Sequence, residues 1–143
     1  MSELAPELRE LVLAARAVRE HAYAPYSSFF VGAALRTRDG EVFTGCNVEN
    51  ASYGATICAE RAAICAMVAG AKRASTRRLR VAAIAVFTDA AELAMPCGVC
   101  RQVLSEFAER TVVVVANPRE QRVMAFAELF PAPFVLRGGD DEP

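Results

Sequence analysis

The amino-acid sequence predicts a three-layer α-β-α sandwich built on a mixed five-stranded sheet. Its 143 residues suffice for one domain with a sizeable core and are too few for two ordinary ones. Candidate elements interleave in the order helix, hairpin, helix, strand, helix, strand, the pattern of an α/β domain. Residues 81–87 form an unbroken apolar run, the mark of a strand covered on both faces.

Taken from the N-terminus, Leu4, Leu8, Leu11, Val12, Ala15 and Val18 recur at helical spacing, with Glu7, Arg9, Arg16 and Arg19 elsewhere on the wheel. This is an amphipathic helix laid on a core. Ala24-Pro25-Tyr26-Ser27-Ser28 breaks the pattern as a loop. Residues 29–35 are strand-like, interrupted by Gly32; Asp39-Gly40 is a hairpin turn signal, and residues 41–48 form the returning strand. After a loop of small residues, Cys58 opens a helix that runs to about Gly70, a candidate C-cap. Its body, residues 62–69, carries no charge. A helix apolar all round is buried on every side, which in so small a protein implies a subunit interface beside the core. Lys72, Arg73, Arg77, Arg78 and Arg80 form a basic patch, read as a solvated connection after a helix C-terminus rather than a phosphate site. Beyond the strand at 81–87, Cys97 opens a helix ending near Arg110, and residues 112–116 are a further strand. Asn117-Pro118 is a turn, and residues 124–130 hold a short helix or a strand followed by one. A single domain spans 1–143, with 138–143 as a frayed tail.

Composition narrows the classes of function. The formal net charge of -1 supplies no global attraction to nucleic acid. Hydrophobic residues make up 54%, high for one domain, yet no apolar run approaches the ~20 residues of a membrane span. The surplus apolar surface is therefore expected between subunits. Glu3, Glu7, Arg9 and Glu10 interrupt any signal-peptide core. Five cysteines, two of them in a Cys-x-x-Cys, suit a reducing compartment with a metal or redox site better than a disulfide framework, so a cytoplasmic location is expected.

Two short segments concentrate the chemistry: Cys58-Ala59-Glu60-Arg61 and Pro96-Cys97-Gly98-Val99-Cys100. Three thiolates can hold zinc and leave its fourth position open, where a structural site fills all four. An open position admits water, which zinc makes a nucleophile near neutral pH. Glu60 can then carry protons. Cys58 and Cys97 both fall at helix starts, where unpaired N–H groups lower a thiol pKa. Cys97 and Cys100 share a helical face, and Glu60 can reach round from the first turn. Other uses are open to these residues. A redox role for Cys97 and Cys100 needs neither Cys58 nor Glu60. A closed structural zinc needs a fourth ligand, Cys46 or His21, because Cys65 lies two helical turns beyond Cys58, ~10 Å away. Cys46 and Cys65 otherwise read as small buried hydrophobes.

Set beside Tyr23-Ala24-Pro25-Tyr26-Ser27, Phe29-Phe30-Val31-Gly32-Ala33-Ala34, Gly45-Cys46-Asn47-Val48-Glu49-Asn50-Ala51-Ser52-Tyr53-Gly54 and Arg101-Gln102, these motifs resemble the small, homotetrameric type of cytidine deaminase. The cysteine spacing is the established zinc-deaminase signature and alone points only to that superfamily. Asn47-Val48-Glu49 narrows it to nucleoside enzymes. The resemblance implies one zinc per chain on Cys58, Cys97 and Cys100, with Glu60 shuttling protons and contacting the pyrimidine ring. It implies that the carbonyl of Ala59 meets the amino group, that Phe29 packs on the base, and that Asn47 and Glu49 hold the ribose hydroxyls. Zinc with three thiolates carries a formal charge of about -1, which Arg61 would offset. Tyr53 and Phe134 would reach the nucleoside from neighbouring chains of a homotetramer. The implied activity is hydrolysis of cytidine and 2'-deoxycytidine to the uracil nucleosides with release of ammonia, in pyrimidine salvage, with no nucleic-acid or membrane partner. Two positions depart from the pattern. Met95 replaces a small polar residue before Pro96-Cys97, and Leu129-Phe130-Pro131-Ala132-Pro133-Phe134 is altered internally, which leaves Phe134 open to a role as an anchor on its own domain. Rivals are a deaminase of a modified cytosine nucleoside such as blasticidin S, a non-catalytic zinc protein of the same fold, and a nucleic-acid editing domain.

Overall fold

The computed structural model describes residues 3–72 and 79–136. Its strands are β1 (Val31–Thr37), β2 (Val42–Cys46), β3 (Val81–Thr88), β4 (Ala108–Ala116) and β5 (Gln121–Ala125). They hydrogen-bond in the order β2-β1-β3-β4-β5. β3 and β4 are parallel and the other three pairs antiparallel, so the sheet is mixed and five-stranded, as the sequence predicts. The helices are α1 (Pro6–Arg19), α2 (Ala59–Gly70), α3 (Gly98–Ser105) and the single turn α4 (Phe126–Leu129).

Successive strand residues face opposite sides, and each side has its own cover. Ala34, Ala85, Phe87, Val114 and Ala116 pack with Leu4, Leu11 and Ala15 on the α1 side. Ala33, Leu35, Ile84, Val86, Val113 and Val115 pack with Ala63, Ile64 and Met67 of α2 and Leu104 of α3. Burial on both faces explains the unbroken apolar run of β3. Two glycines set how closely the helices approach. A methyl group at Gly32 would lie 1.9 Å from the Ala15 carbonyl oxygen, so α1 crosses β1 in backbone contact. One at Gly45 would lie 2.3 Å from the Ala63 nitrogen and 2.6 Å from the Ala59 oxygen, so α2 does the same over β2.

Several boundaries differ from expectation. Gly70 is the last residue of α2 rather than its cap; Ala71 follows in an extended conformation, and the small Gly70 accommodates the Phe43 ring. The helix from Cys97 ends at Ser105, not near Arg110, because β4 starts early: Ala108 pairs with Val81, and Arg110 takes a left-handed φ of 50° where the register shifts. Residues 124–130 divide into the end of β5 and α4. The body of α2 is buried on one side only, at Ala63, Ile64 and Met67, while Cys65, Val68 and Ala69 are exposed in this chain. Of the basic patch, Arg73, Arg77 and Arg78 lie outside the described residues, as does 138–143; Arg80 pairs with Glu109 at 3.4 Å. Among the described residues no helix is long and apolar enough to cross a membrane.

Candidate active site

Cys58 and Cys97 are the N-cap residues of α2 and α3, each extended before the helix begins, and Cys100 sits in the first turns of α3. The loop leading to Cys97 is braced twice. Arg101 Nε donates to the Pro96 carbonyl at 2.8 Å, and Asn117 Nδ2 donates to the carbonyls of Ala90 and Ala91 at 3.1 and 3.4 Å. As a result the three sulfurs lie within 4.8 Å of one another. Cys58 and Cys97 are 3.8 Å apart. Two sulfurs bound at about 2.3 Å to a tetrahedral zinc would be about 3.8 Å apart, so spacing and donor chemistry fit zinc. Among the described residues no fourth His, Cys, Asp or Glu joins this group, so neither Cys46 nor His21 closes it. Cys46 is half-buried; Cys65 is exposed, contrary to its expected burial, because it lies on the outward side of α2.

The electrostatics suit a cation. Its hydrogen bond with Cys100 brings the Cys58 thiol down to about 5, and Arg61, whose Nη2 lies 3.6 Å from the sulfur, lowers it further. Cys100 moves far above the usual thiol range, through the same hydrogen bond and through burial. Arg61 is fixed by a second bond from Nη2 to the Thr56 carbonyl at 3.0 Å. Glu60, the second residue of α2, is 7% exposed. Burial raises its carboxyl to about 7, and the charge of Cys58 adds to the rise.

Of these groups, Cys58, Cys97 and Glu60 border a cavity of about 440 Å³. Cys58, Cys97, Ala59 and Glu60 supply its reactive part, Phe29, Val31, Val86, Ala94 and Met95 its apolar walls, and Ser27, Asn47, Glu49, Tyr53 and Thr56 its remaining polar groups. No Lys, Arg or His is among the described residues that line it. Asn47 and Glu49 flank Val48, which bridges to both Tyr23 and Ile57, so the pair points to one side of an extended segment. Both side chains are buried and partly engaged. Asn47 Oδ1 accepts from the Val31 N–H at 2.8 Å, and Nδ2 donates to the Phe29 carbonyl at 2.7 Å. Glu49 Oε1 accepts from the N–H groups of Tyr26 and Ser27 at 3.2 and 3.1 Å and from the Ser27 hydroxyl at 3.1 Å.

Three further expected positions are placed as follows. Tyr53 lines the cavity of its own chain, edge-on to Tyr26 at 6.3 Å, because the short turn at Tyr53–Ala55 folds back between Val48 and Ile57. Phe134 does not line the cavity of its own chain and is 69% exposed. The Gln102 side chain holds its backbone, donating to the Phe134 carbonyl at 2.9 Å and accepting from its N–H at 3.2 Å. The carbonyl of Ala59 stands at the crossing of α2 with Gly45, whereas helix geometry leaves first-turn N–H groups without an intrahelical acceptor. Ser27, Thr56 and Val86 are lining residues that the sequence alone does not single out. For Ser27 the signal lay in a polar pair set between Tyr26 and Phe29.

The family described as "Cytidine and deoxycytidylate deaminase zinc-binding region" matches residues 6–116. A cytidine deaminase of Halalkalibacterium halodurans is 43% identical over 133 residues, 92% of this chain and 96% of that protein. One of Mycobacterium tuberculosis is 44% identical over 122 residues, 85% of this chain and 83% of its own. The crystal structure of cytidine deaminase from Burkholderia pseudomallei superposes with a TM-score of 0.78 at 48% identity, covering 88% of this chain and 98% of that one.

Proposed function

The chain belongs to the cytidine and deoxycytidylate deaminase zinc-binding family, and on that premise we propose that it hydrolyses cytidine and 2'-deoxycytidine to uridine and 2'-deoxyuridine, releasing ammonia. The observation that carries this is the buried Glu60, its carboxyl raised to about 7, lining one cavity with Cys58 and Cys97, on whose sulfurs that of Cys100 converges. Cys58, Cys97 and Cys100 hold zinc, which when bound supplies a Lewis acid and activates water near neutral pH. Glu60 takes one proton from the attacking water and delivers it to ring N3, then takes the second from the new C4 hydroxyl and passes it to the amine as the C4–N bond breaks and ammonia leaves. A carboxyl titrating near 7 is suited to both directions of transfer. Arg61 keeps a positive charge against the Cys58 sulfur and offsets the excess negative charge of three thiolates.

Substrate contacts follow from the same cavity. Phe29 packs on the base, and the backbone of Ala59 meets the ring. Asn47 and Glu49 receive the ribose hydroxyls: one Glu49 oxygen is engaged by the loop at Tyr26 and Ser27, and the other, which accepts no hydrogen bond among the described residues, is left for the sugar. The absence of a basic side chain among the described lining residues favours a nucleoside over its phosphate. The exposed apolar positions Cys65, Val68 and Ala69 on α2, and Phe134, Val135 and Leu136 near the C-terminus, support assembly into a homotetramer in which Phe134 serves a neighbouring site. A role in pyrimidine salvage in the cytoplasm fits this activity. The test is the ultraviolet absorbance change when the protein meets cytidine. Turnover abolished by a chelator and restored by zinc supports the assignment, and no turnover of either cytosine nucleoside by zinc-loaded protein overturns it. A panel including blasticidin S separates the modified-nucleoside rival.

A further inference from the structure

We propose that Ser27 is a positioning residue that holds the base-contacting and sugar-contacting parts of the cavity in register; this rests on the nucleoside assignment above. Its hydroxyl joins the two. Ser27 Oγ donates to Glu49 Oε1 at 3.1 Å and accepts from the Phe29 N–H at 3.0 Å. Its own N–H makes a second bond to the same Glu49 oxygen at 3.1 Å. One hydroxyl therefore fixes the chain entering Phe29, against the base, and the carboxylate assigned to the sugar.

The surroundings show a deliberately constrained segment. Ser28 adopts a left-handed φ of 57°, a conformation disfavoured for a residue with a Cβ, and its N–H is held by the Ala24 carbonyl at 3.0 Å. On the far side of Phe29, Asn47 grips the carbonyl of Phe29 and the N–H of Val31. Phe29 is thus held from both directions by the residues that line the polar part of the cavity. Because Ser27 bonds to neither α2 nor α3, losing its hydroxyl loosens the two contact groups and leaves Glu60 and the sulfurs in place. The effect falls on binding rather than on the chemical step.

The test compares Ser27→Ala, Ser27→Thr and Glu49→Ala, singly and in combination, as zinc-loaded full chains. Ser27→Ala should raise KM for cytidine about tenfold with kcat within about twofold, the scale of one hydrogen bond to a charged group. Ser27→Thr keeps a hydroxyl and should restore most of the loss. In the Glu49→Ala background, Ser27→Ala should add clearly less than it costs alone, because one of the hydroxyl's two partners is gone and only the Phe29 N–H remains. Calorimetric titration with uridine should show the same ratios without turnover. If Ser27→Ala does not fold, Ser27→Cys, with its much weaker donor, takes its place with the same expectations. An unchanged KM, a fall confined to kcat, or full additivity with Glu49→Ala overturns the proposal. Wild-type protein inert on cytidine overturns the nucleoside assignment itself, whereas active protein insensitive to Ser27 overturns only this inference.

Discussion

Glu60 is the residue whose chemistry cannot be shared. It is 7% exposed, and its carboxyl is raised to about 7 chiefly by burial. Glu60→Gln preserves shape and removes the proton carrier. We expect zinc content and far-ultraviolet circular dichroism to stay as in the wild type while kcat falls by about 10² to 10⁴, the usual contribution of a placed acid–base group. Near-normal turnover in that variant would remove Glu60 from the mechanism. The three cysteines and Glu60 were legible in the sequence because metal chemistry restricts both residue type and spacing. Ser27 was not, because the atom that gives it meaning belongs to Glu49, 22 residues away. Asn47 was half legible: its side of the strand followed from alternation, but its grip on Phe29 and Val31 needed the fold.

At the scale of the element, two glycines separate two kinds of constraint. Gly32 has room for no side chain, since a methyl group would meet the backbone of α1 at 1.9 Å. Gly40 has open space around it but a φ of 91° in the β1–β2 turn. Gly32→Ala must push α1 off the sheet and should cost about 3 kcal/mol, in the upper range for overpacking. Gly40→Ala should cost only about 1 kcal/mol, the strain of a left-handed residue. Urea unfolding of the two variants checks the order, and equal losses would contradict it. The sequence marked Gly32 only as an interruption in a strand, because the helix it touches is distant along the chain. It also missed the first half of β4, whose Glu109 and Arg110 look like the end of a helix. Pairing of Ala108 with Val81, a contact no local pattern encodes, makes them strand.

For the whole molecule, the question is whether a cavity is complete within one chain. Phe134 stands outward on a segment clamped by Gln102, outside the cavity of its own chain. If it serves a neighbour, two defective chains should repair each other. A Glu60→Gln chain mixed with a chain truncated before Phe134 should regain activity, because some sites then combine an intact Glu60 with a borrowed Phe134. Native mass spectrometry would verify that mixed assemblies form. Mixed assemblies no more active than their parents would confine Phe134 to its own domain. The sequence hinted at association through the uncharged body of α2, but it implied burial all round, and one chain buries only one side. The remaining surface lies outside what a single chain can explain.

The sulfurs of Cys58 and Cys97 meet across 39 residues of sequence, and neither α2 nor α3 contributes all three donors. In the unfolded chain the site does not exist, so occupancy and folding are one linked equilibrium. By mass action, free zinc at a hundred times its dissociation constant adds about 2.7 kcal/mol to the native state. The melting temperature should therefore climb with zinc concentration, and Cys97→Ser should flatten that dependence. A melting temperature indifferent to zinc in the wild type would show that the donors do not bind it. Where the dependence holds, heat resistance reports metal supply, and a cell short of zinc would hold a less stable protein as well as a less active one.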